Sequence, residues 1–168
     1  MKKVGIFYSF STVKTGQAVK ILVEALGEEN IELVNAESVT EEKFLSFDNL
    51  ILGVPTWFDG ELPNYWDEFV PALEDLNLKG KKIAVFGNGD QKNYPENFVD
   101  GIGIMSAILE ERGAKIVGYT STDGYKFESS RALKGENFVG LALDFENQAR
   151  MNKERIGKWI EQLKKEFN

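Results

Sequence analysis

The order of apolar and polar positions along the chain predicts short buried strands that alternate with amphipathic helices. Five strand-like apolar segments recur, the last of them weaker than the others: Lys3–Tyr8, Leu50–Val54, Ile83–Phe86, Lys115–Tyr119 and Ile31–Asn35. Between them, apolar residues recur at the i, i+3, i+4 spacing of one helix face. This alternation predicts an α/β fold, in which a parallel sheet is covered by helices on both faces.

Four stretches carry the helical spacing, and we interpret their apolar residues as core faces: Ala18–Leu26, Leu62–Leu73, Phe98–Leu109 and Ile156–Phe167. Gly27 follows the first stretch and is placed to end that helix. A polar, glycine-bearing segment, Thr120–Asn137, delays a further apolar run, Phe138–Leu143. Its length predicts a function or small strands of its own. Because no linker or repeat divides the chain, we expect one domain over residues 1–168.

Composition excludes several kinds of site. The chain has no Cys and no His, which excludes disulfides and Cys nucleophiles and removes the commonest zinc ligand and general base. We therefore expect no metal site. The net charge of −7 argues against nucleic acid as a partner. No apolar run is long enough for a membrane span and no leader precedes the first strand, so we expect a cytoplasmic protein and, by default, a monomer.

Acidic residues are concentrated in one part of the chain. The stretch from Phe44 to Leu78 contains no Lys or Arg and has seven acidic residues: Asp48, Asp59, Glu61, Asp67, Glu68, Glu74 and Asp75. Such a stretch is typical either of a solvated, solubilising face or of a docking patch that steers basic partners. The sequence leaves both interpretations open.

Ligands of an open parallel sheet bind beyond the carboxyl ends of its strands, so the loops there are candidate sites. The loop after the first strand runs Ser9-Phe10-Ser11-Thr12-Val13-Lys14-Thr15-Gly16 into a helix. Hydroxyls and free amides at a helix N-terminus suit a phosphate. The alternative is a simple N-cap formed by Ser11 or Thr12, and the residues favour neither interpretation.

The loops after the third and fourth strands each carry an aromatic residue in a polar setting. Trp57 lies in the segment Pro55–Leu62, and its flat face suits a planar ligand. Tyr94 lies in the segment Gly87–Phe98, whose glycines let the backbone approach a ligand closely. Together with the hydroxyl-rich helix start, these loops indicate a site for a planar ring joined to a phosphate.

Motifs of the common nucleotide-binding and hydrolytic folds are absent. The chain has no Gly-x-Gly-x-x-Gly after the first strand, no P-loop and no Gly-x-Ser-x-Gly elbow. Its carboxylates are many, but none lies in an apolar segment that would mark an acid–base pair. These features argue against a site that makes or breaks bonds in a substrate.

The chain resembles a long-chain flavodoxin from Lys3 to Phe167. The most specific motifs are Pro55-Thr56-Trp57 with Gly60-Glu61-Leu62, and Gly87-x-Gly89-Asp90-Gln91 with Tyr94 and Phe98. The resemblance implies a flavodoxin-like, doubly wound, five-stranded parallel sheet of order 2-1-3-4-5. It also implies that Thr120–Asn137 is the insertion that splits the last strand in long-chain members.

The resemblance further implies a non-covalently bound flavin mononucleotide (FMN). Its phosphate would be held by the loop after the first strand, and its ring would be stacked between Trp57 and Tyr94. The Phe58–Asp59 peptide would meet flavin N5, Asp90 the pyrimidine edge, and Glu146 the ribityl chain. The residues assigned to the cofactor are Ser9, Phe10, Ser11, Thr12, Val13, Lys14, Thr15, Pro55, Thr56, Trp57, Phe58, Asp59, Gly60, Gly87, Asn88, Gly89, Asp90, Tyr94, Asn97, Phe98 and Glu146.

The phosphate loop departs from the family pattern at two positions. Phe10 replaces a hydroxyl residue, and Val13 replaces the usual glycine. If position 13 needs a positive φ, Val13 would be strained by about 1–3 kcal/mol, or up to roughly a hundredfold in affinity. We therefore expect FMN binding that is weaker than usual or has a shifted phosphate.

The implied function is that of a low-potential one-electron carrier, which is not an enzyme. Aromatic rings and a net charge of −7 disfavour the anionic reduced flavin and lower its potential, while a backbone carbonyl that accepts from N5–H would stabilise the neutral semiquinone. Together these effects predict cycling between semiquinone and hydroquinone. Electrons would pass from a reductase to acceptor redox enzymes that dock transiently on the acidic face, at Asp59, Glu61, Asp67 and Glu68. The alternatives are an FMN-dependent quinone reductase of the same fold, and a binding module whose FMN affinity Phe10 and Val13 have weakened.

Overall fold

The computed structural model describes residues 1–168 and contains nine strands and five α-helices. The strands are β1 (Val4–Tyr8), β2 (Ile31–Asn35), β3 (Asn49–Gly53), β4 (Lys82–Asn88), β5 (Lys115–Val117), β6 (Thr120–Ser121), β7 (Leu133–Lys134), β8 (Asn137–Phe138) and β9 (Leu141–Leu143). The helices are α1 (Lys14–Leu26), α2 (Glu41–Leu45), α3 (Asn64–Leu73), α4 (Asp100–Glu111) and α5 (Ala149–Glu166).

The main sheet is parallel and has the strand order β2-β1-β3-β4-β5, which confirms the predicted topology. Both β5 and β9 pair with β4: β5 lies beside Lys82–Ala84 and β9 beside Phe86–Asn88. Between these two strands the chain leaves the main sheet. There β6, β8 and β7 form a small antiparallel sheet, as the length of this segment predicted.

Apolar residues fill both sides of the main sheet in two clusters of 25 and 18 buried residues. The predicted stripes of α1, α3, α4 and α5 supply the buried faces of these helices. Each cluster contains a fully buried Trp whose indole N–H is satisfied: Trp66 donates to the Gly53 carbonyl at 2.9 Å and Trp159 to the Gly118 carbonyl at 2.8 Å. This burial on both faces explains why the strands are short and apolar.

Several predicted boundaries differ from the structure for local reasons. The predicted strand Lys115–Tyr119 stops at Val117, because Gly118 adopts φ +82° and its amide donates to the Glu166 carboxylate at 3.1 Å. The predicted run Phe138–Leu143 is two strands, β8 and β9, separated at Val139 and Gly140. The short helix α2 was not predicted; the hydroxyl of Thr40 caps it. No helix combines the length and apolarity that crossing a bilayer requires.

Candidate functional site

The start of α1 leaves a set of backbone donors free. The amides of residues 13–16 have no hydrogen-bond partner within the chain, and no side chain caps the helix. The hydroxyl of Thr12 donates to the Ser9 carbonyl at 2.6 Å, and that of Ser11 donates to Glu37 at 2.9 Å. The N-cap interpretation of Ser11 and Thr12 is therefore wrong. Four free amides at the positive end of a helix dipole form an arrangement suited to an anion.

The two unusual residues of this loop do not distort it. Val13 has φ −86° and ψ −56°, which is ordinary right-handed backbone, so the conditional strain at this position does not arise. The side chains of Phe10 and Val13 are 51% and 72% exposed. The Phe10 ring leans on the Tyr8 ring, with 5.0 Å between centroids. The free amides therefore remain available in spite of both substitutions.

Beyond the carboxyl ends of β3 and β4 lies a cleft of about 380 Å³. Its lining residues are Thr56, Trp57, Phe58, Asn88, Gly89, Asp90, Tyr94, Asn97, Val99 and Glu146. Nine of these ten were predicted from the sequence, and Trp57 and Tyr94 line the same cleft, as predicted. Val99 was missed, because a single apolar residue ahead of a helix resembles any core residue.

The loop that carries Trp57 is a narrow hairpin. Trp57 and Glu61 exchange two backbone hydrogen bonds of 2.8 Å each, which closes the loop at its base. At its tip Phe58 has φ +50° and is 70% exposed, while Gly60 has φ +95°. A methyl group at Gly60 would lie 2.6 Å from Asp100 Oδ2, so both the backbone angle and the space require glycine here. The Trp57 ring meets the Tyr65 ring edge-on, with 5.9 Å between centroids.

Residues 97–101, which we call the support corner, hold both aromatic loops. Val99 is buried and has φ +48° and ψ +33°, a left-handed conformation that is rare for a β-branched residue. The amide of Gly101 donates to Thr56 Oγ1 at 2.9 Å, which anchors the Trp57 loop. A methyl group at Gly89 would lie 2.9 Å from Val99 Cγ1, so the other loop rests on this side chain. Phe58 and Val99 are the two non-glycine residues with positive φ, and both line the cleft.

Asp90 organises the loop that carries Tyr94. Its carboxylate accepts hydrogen bonds from the amides of Lys92 and Asn93, at 3.2 and 3.0 Å, and from the side chain of Asn147 at 2.8 Å. Partial burial raises the pKa of Asp90, but hydrogen bonds from Asn93, Asn147 and Lys92 outweigh it and leave that pKa below its ordinary value. The Asp90 carbonyl accepts the Tyr94 amide at 2.9 Å. Asp90 therefore fixes the turn that presents Tyr94.

Some predicted site residues lie behind the cleft rather than in it. Phe98, which was assigned to the cofactor, is fully buried and packs on Phe127 with 5.3 Å between ring centroids, so its side chain does not line the cleft. Gly87 is buried against the backbone of Val54, which leaves it a packing role. Ser9 is 1% exposed, and its hydroxyl accepts the Ser11 amide at 3.3 Å. These three residues shape the site without lining it.

An ion pair joins the α1 loop to the cleft. Lys14, the first residue of α1, pairs with the carboxylate of Glu146, which lines the cleft. The two side chains are 46% and 48% exposed. The ring-sized cleft and the anion-suited helix start are thus neighbouring parts of one site. Neither the pair nor its consequence for the site was predicted.

Comparison with known proteins gives one consistent family. The flavodoxin family model matches residues 6–159. A flavodoxin from a Nostoc species is 42% identical over 166 residues, which cover 99% of this chain and 98% of that protein. Flavodoxin 1 of Escherichia coli K12 is 39% identical, covering 98% and 94%. The crystal structure of Fusobacterium nucleatum flavodoxin bound to flavin mononucleotide superimposes with a TM-score of 0.95 at 37% identity, covering 100% of both chains.

Proposed function

Because the chain belongs to the flavodoxin family, we propose that it binds FMN non-covalently in this site and carries single electrons between larger redox proteins. It is an electron-transfer protein, not an enzyme. The observation that carries the proposal is the joint placement of Trp57 and Tyr94 in one cleft beside a helix start with four free amides. A planar ring and a phosphate each find a matching surface there.

The cleft suits the flavin ring. Its volume of about 380 Å³ lies within the range of small-molecule sites, and the side chains of Trp57 and Tyr94 are both accessible. Trp57 and Tyr94 would take the two faces of the ring and exclude water from them. Asn88, Gly89 and Asp90 would lie along one edge, where backbone groups can donate and accept hydrogen bonds.

The helix start suits the phosphate. The amides of residues 13–16 point at no partner of their own, and the dipole of the 13-residue helix α1 favours negative charge at this end. The hydroxyls of Ser11 and Thr12 already donate to Glu37 and to the Ser9 carbonyl, so the four backbone amides are the free donors of this loop. Because Val13 is unstrained, we propose that the loop binds phosphate without a backbone rearrangement.

Bound FMN supplies the one-electron redox chemistry, and the chain tunes it. Because the electron is carried by the flavin, no side chain has to act as a nucleophile or general base, and the chain contains no His or Cys. The excess of negative charge, −7, disfavours a further negative charge in the cleft and so lowers the reduction potential. The exposed Phe58–Asp59 segment forms the rim at which its peptide would contact the ring.

We propose that redox partners dock on the acidic side of the cleft. Asp59, Glu61, Asp67 and Glu68 are all exposed and lie on the Trp57 hairpin and the first turns of α3. Basic surfaces would be steered to this face without binding tightly. We further propose that the protein acts in the cytoplasm as a monomer. The quinone-reductase and flavin-free alternatives are not favoured, since relatives at 42% and 39% identity are named flavodoxins.

A single purified preparation tests the proposal. The FMN-loaded protein, photoreduced under anaerobic conditions, should reduce a basic ferric haem protein, and that rate should fall as salt concentration rises. The same protein incubated with NADH alone should leave the NADH unoxidised. Steady NADH oxidation without a second protein would contradict the carrier proposal and favour the reductase alternative.

A further inference from the structure

The loop at the start of α1 has one cationic side chain and two carboxylates near it. Within Ser9–Gly16 there is one cation, Lys14, and no acid. Two carboxylates reach the loop from outside: Glu37 accepts the Ser11 hydroxyl at 2.9 Å, and Glu146 pairs with Lys14. None of the residues that line the cleft is Lys or Arg. The one cation beside the free amides is therefore already neutralised by a carboxylate.

From this arrangement we propose that the Lys14–Glu146 pair determines how strongly the site prefers a phosphorylated flavin over an unphosphorylated one. The inference rests on the proposed function. When the phosphate is bound, Lys14 turns from Glu146 to the phosphate. Glu146 thus competes with the phosphate for the ammonium group.

Lys14 loses little when it leaves Glu146, and it gains a partner of higher negative charge in the phosphate. Both side chains of the pair are about half exposed, and ion pairs of that kind are weak in water. A phosphate monoester carries about −1.5 to −2 charges near pH 7, against −1 for the carboxylate. It also sits among the four free amides, which orient it and have no counterpart at Glu146. The ammonium is therefore attracted more strongly by the phosphate.

The test compares FMN with riboflavin, which lacks the phosphate, as ligands of the apoprotein. Lys14→Met should weaken FMN binding by about 5- to 20-fold and change riboflavin binding by less than about 2-fold. Glu146→Gln should raise the preference for FMN over riboflavin by about 2- to 5-fold; the ratio of the two affinities is compared because Glu146 lines the cleft that both flavins enter. In the Lys14→Met background, Glu146→Gln should change the FMN preference much less, because the ammonium group for which Glu146 and the phosphate compete is then absent.

The chain offers a matched control on α5. Lys158 and Glu154 form an exposed pair at 2.9 Å that lies outside the cleft. Lys158→Met and Glu154→Gln change the net charge as the test variants do, and should alter both flavin affinities by less than about 2-fold. Lys14→Arg keeps the charge and should retain most of the FMN preference. Added salt should raise the FMN preference of Lys14→Met more than that of the wild-type protein, because salt screens the repulsion by the net charge of −7 in both proteins but screens the attraction by Lys14 only in the wild type.

Each outcome separates this inference from the proposed function. If the wild-type protein binds FMN but Lys14→Met weakens both flavins equally, the inference is wrong and the proposed function stands. A lower preference for FMN over riboflavin in Glu146→Gln would also overturn it, because the carboxylate would then favour the phosphate instead of competing with it. If the wild-type protein binds neither flavin, both fail together.

Discussion

Val99 offers a direct test of the strained backbone beneath the cleft. Its left-handed conformation, φ +48° and ψ +33°, is imposed on a β-branched residue that is 1% exposed. Replacing it by Ala keeps a Cβ atom in this conformation, whereas replacing it by Gly removes the Cβ atom and its clash. We therefore predict that Val99→Gly is more stable than Val99→Ala, the reverse of the order expected inside a helix.

The magnitude follows from two opposing terms. A Cβ atom in left-handed backbone costs about 1–2 kcal/mol, which glycine avoids. Glycine loses about 0.5–1 kcal/mol more conformational freedom on folding than alanine. The free energy of unfolding should thus favour Gly over Ala at position 99 by about 0.5–1 kcal/mol.

A second site supplies the control. Val19 lies inside α1, is 2% exposed and has no part in the cleft. At each position Ala and Gly both lack the two methyl groups of valine, so the loss of those groups cancels when the two variants are compared. At position 19, Gly should be less stable than Ala by about 1 kcal/mol. Urea unfolding of the four apoprotein variants measures the difference. If Ala is the more stable residue at both positions, Val99 is not strained and the account of the support corner is wrong.

Three further predictions concern the cleft. Gly60→Ala should weaken FMN binding at least tenfold, because a methyl group would lie 2.6 Å from Asp100 Oδ2. Gly80 also has a positive φ but open space around it, so Gly80→Ala should leave FMN affinity unchanged in the same flavin titration. Asp90→Asn should lower the free energy of unfolding at neutral pH, because the pKa of Asp90 is lower in the folded protein than in the unfolded chain. The stability that Asp90 contributes is fully present above the ordinary carboxyl pKa of about 3.9 and is lost as pH falls through its lower pKa in the folded protein. Urea midpoints of wild type and variant should therefore converge in acid, and a constant gap would refute the assignment. Trp57→Leu should weaken FMN binding by about tenfold and shift the flavin absorption spectrum; an unchanged spectrum would exclude stacking on Trp57.

The strands and helices could be predicted from the sequence because strand burial and helix periodicity are local patterns. These patterns predict a parallel sheet covered by helices, whereas the strand order and the assignment of nine of the ten cleft residues came from the resemblance to flavodoxins. Backbone angles are different, since distant segments fix them. Val99 lies against the loop at Gly89, and the amide of Gly101, two residues on, is bonded to Thr56. Val13 has ordinary backbone although its position suggested strain.

Side-chain partners across the site were equally beyond the sequence. Lys14 and Glu146 are far apart along the chain and meet because β1 and β9 end at the same edge of the sheet. Phe98 continues the apolar spacing of α4, which correctly indicated a core residue, but its place beside the Tyr94 loop also suggested a ligand contact. Only the direction of its side chain decides between these roles.

Titration of the apoprotein with FMN, followed by flavin fluorescence, tests the central claim most directly. A ring held between Trp57 and Tyr94 should lose nearly all of its emission, with a sharp end point at one FMN per chain. Emission that persists after FMN has bound, or that rises in proportion to added FMN from the first addition, would contradict the proposed cleft.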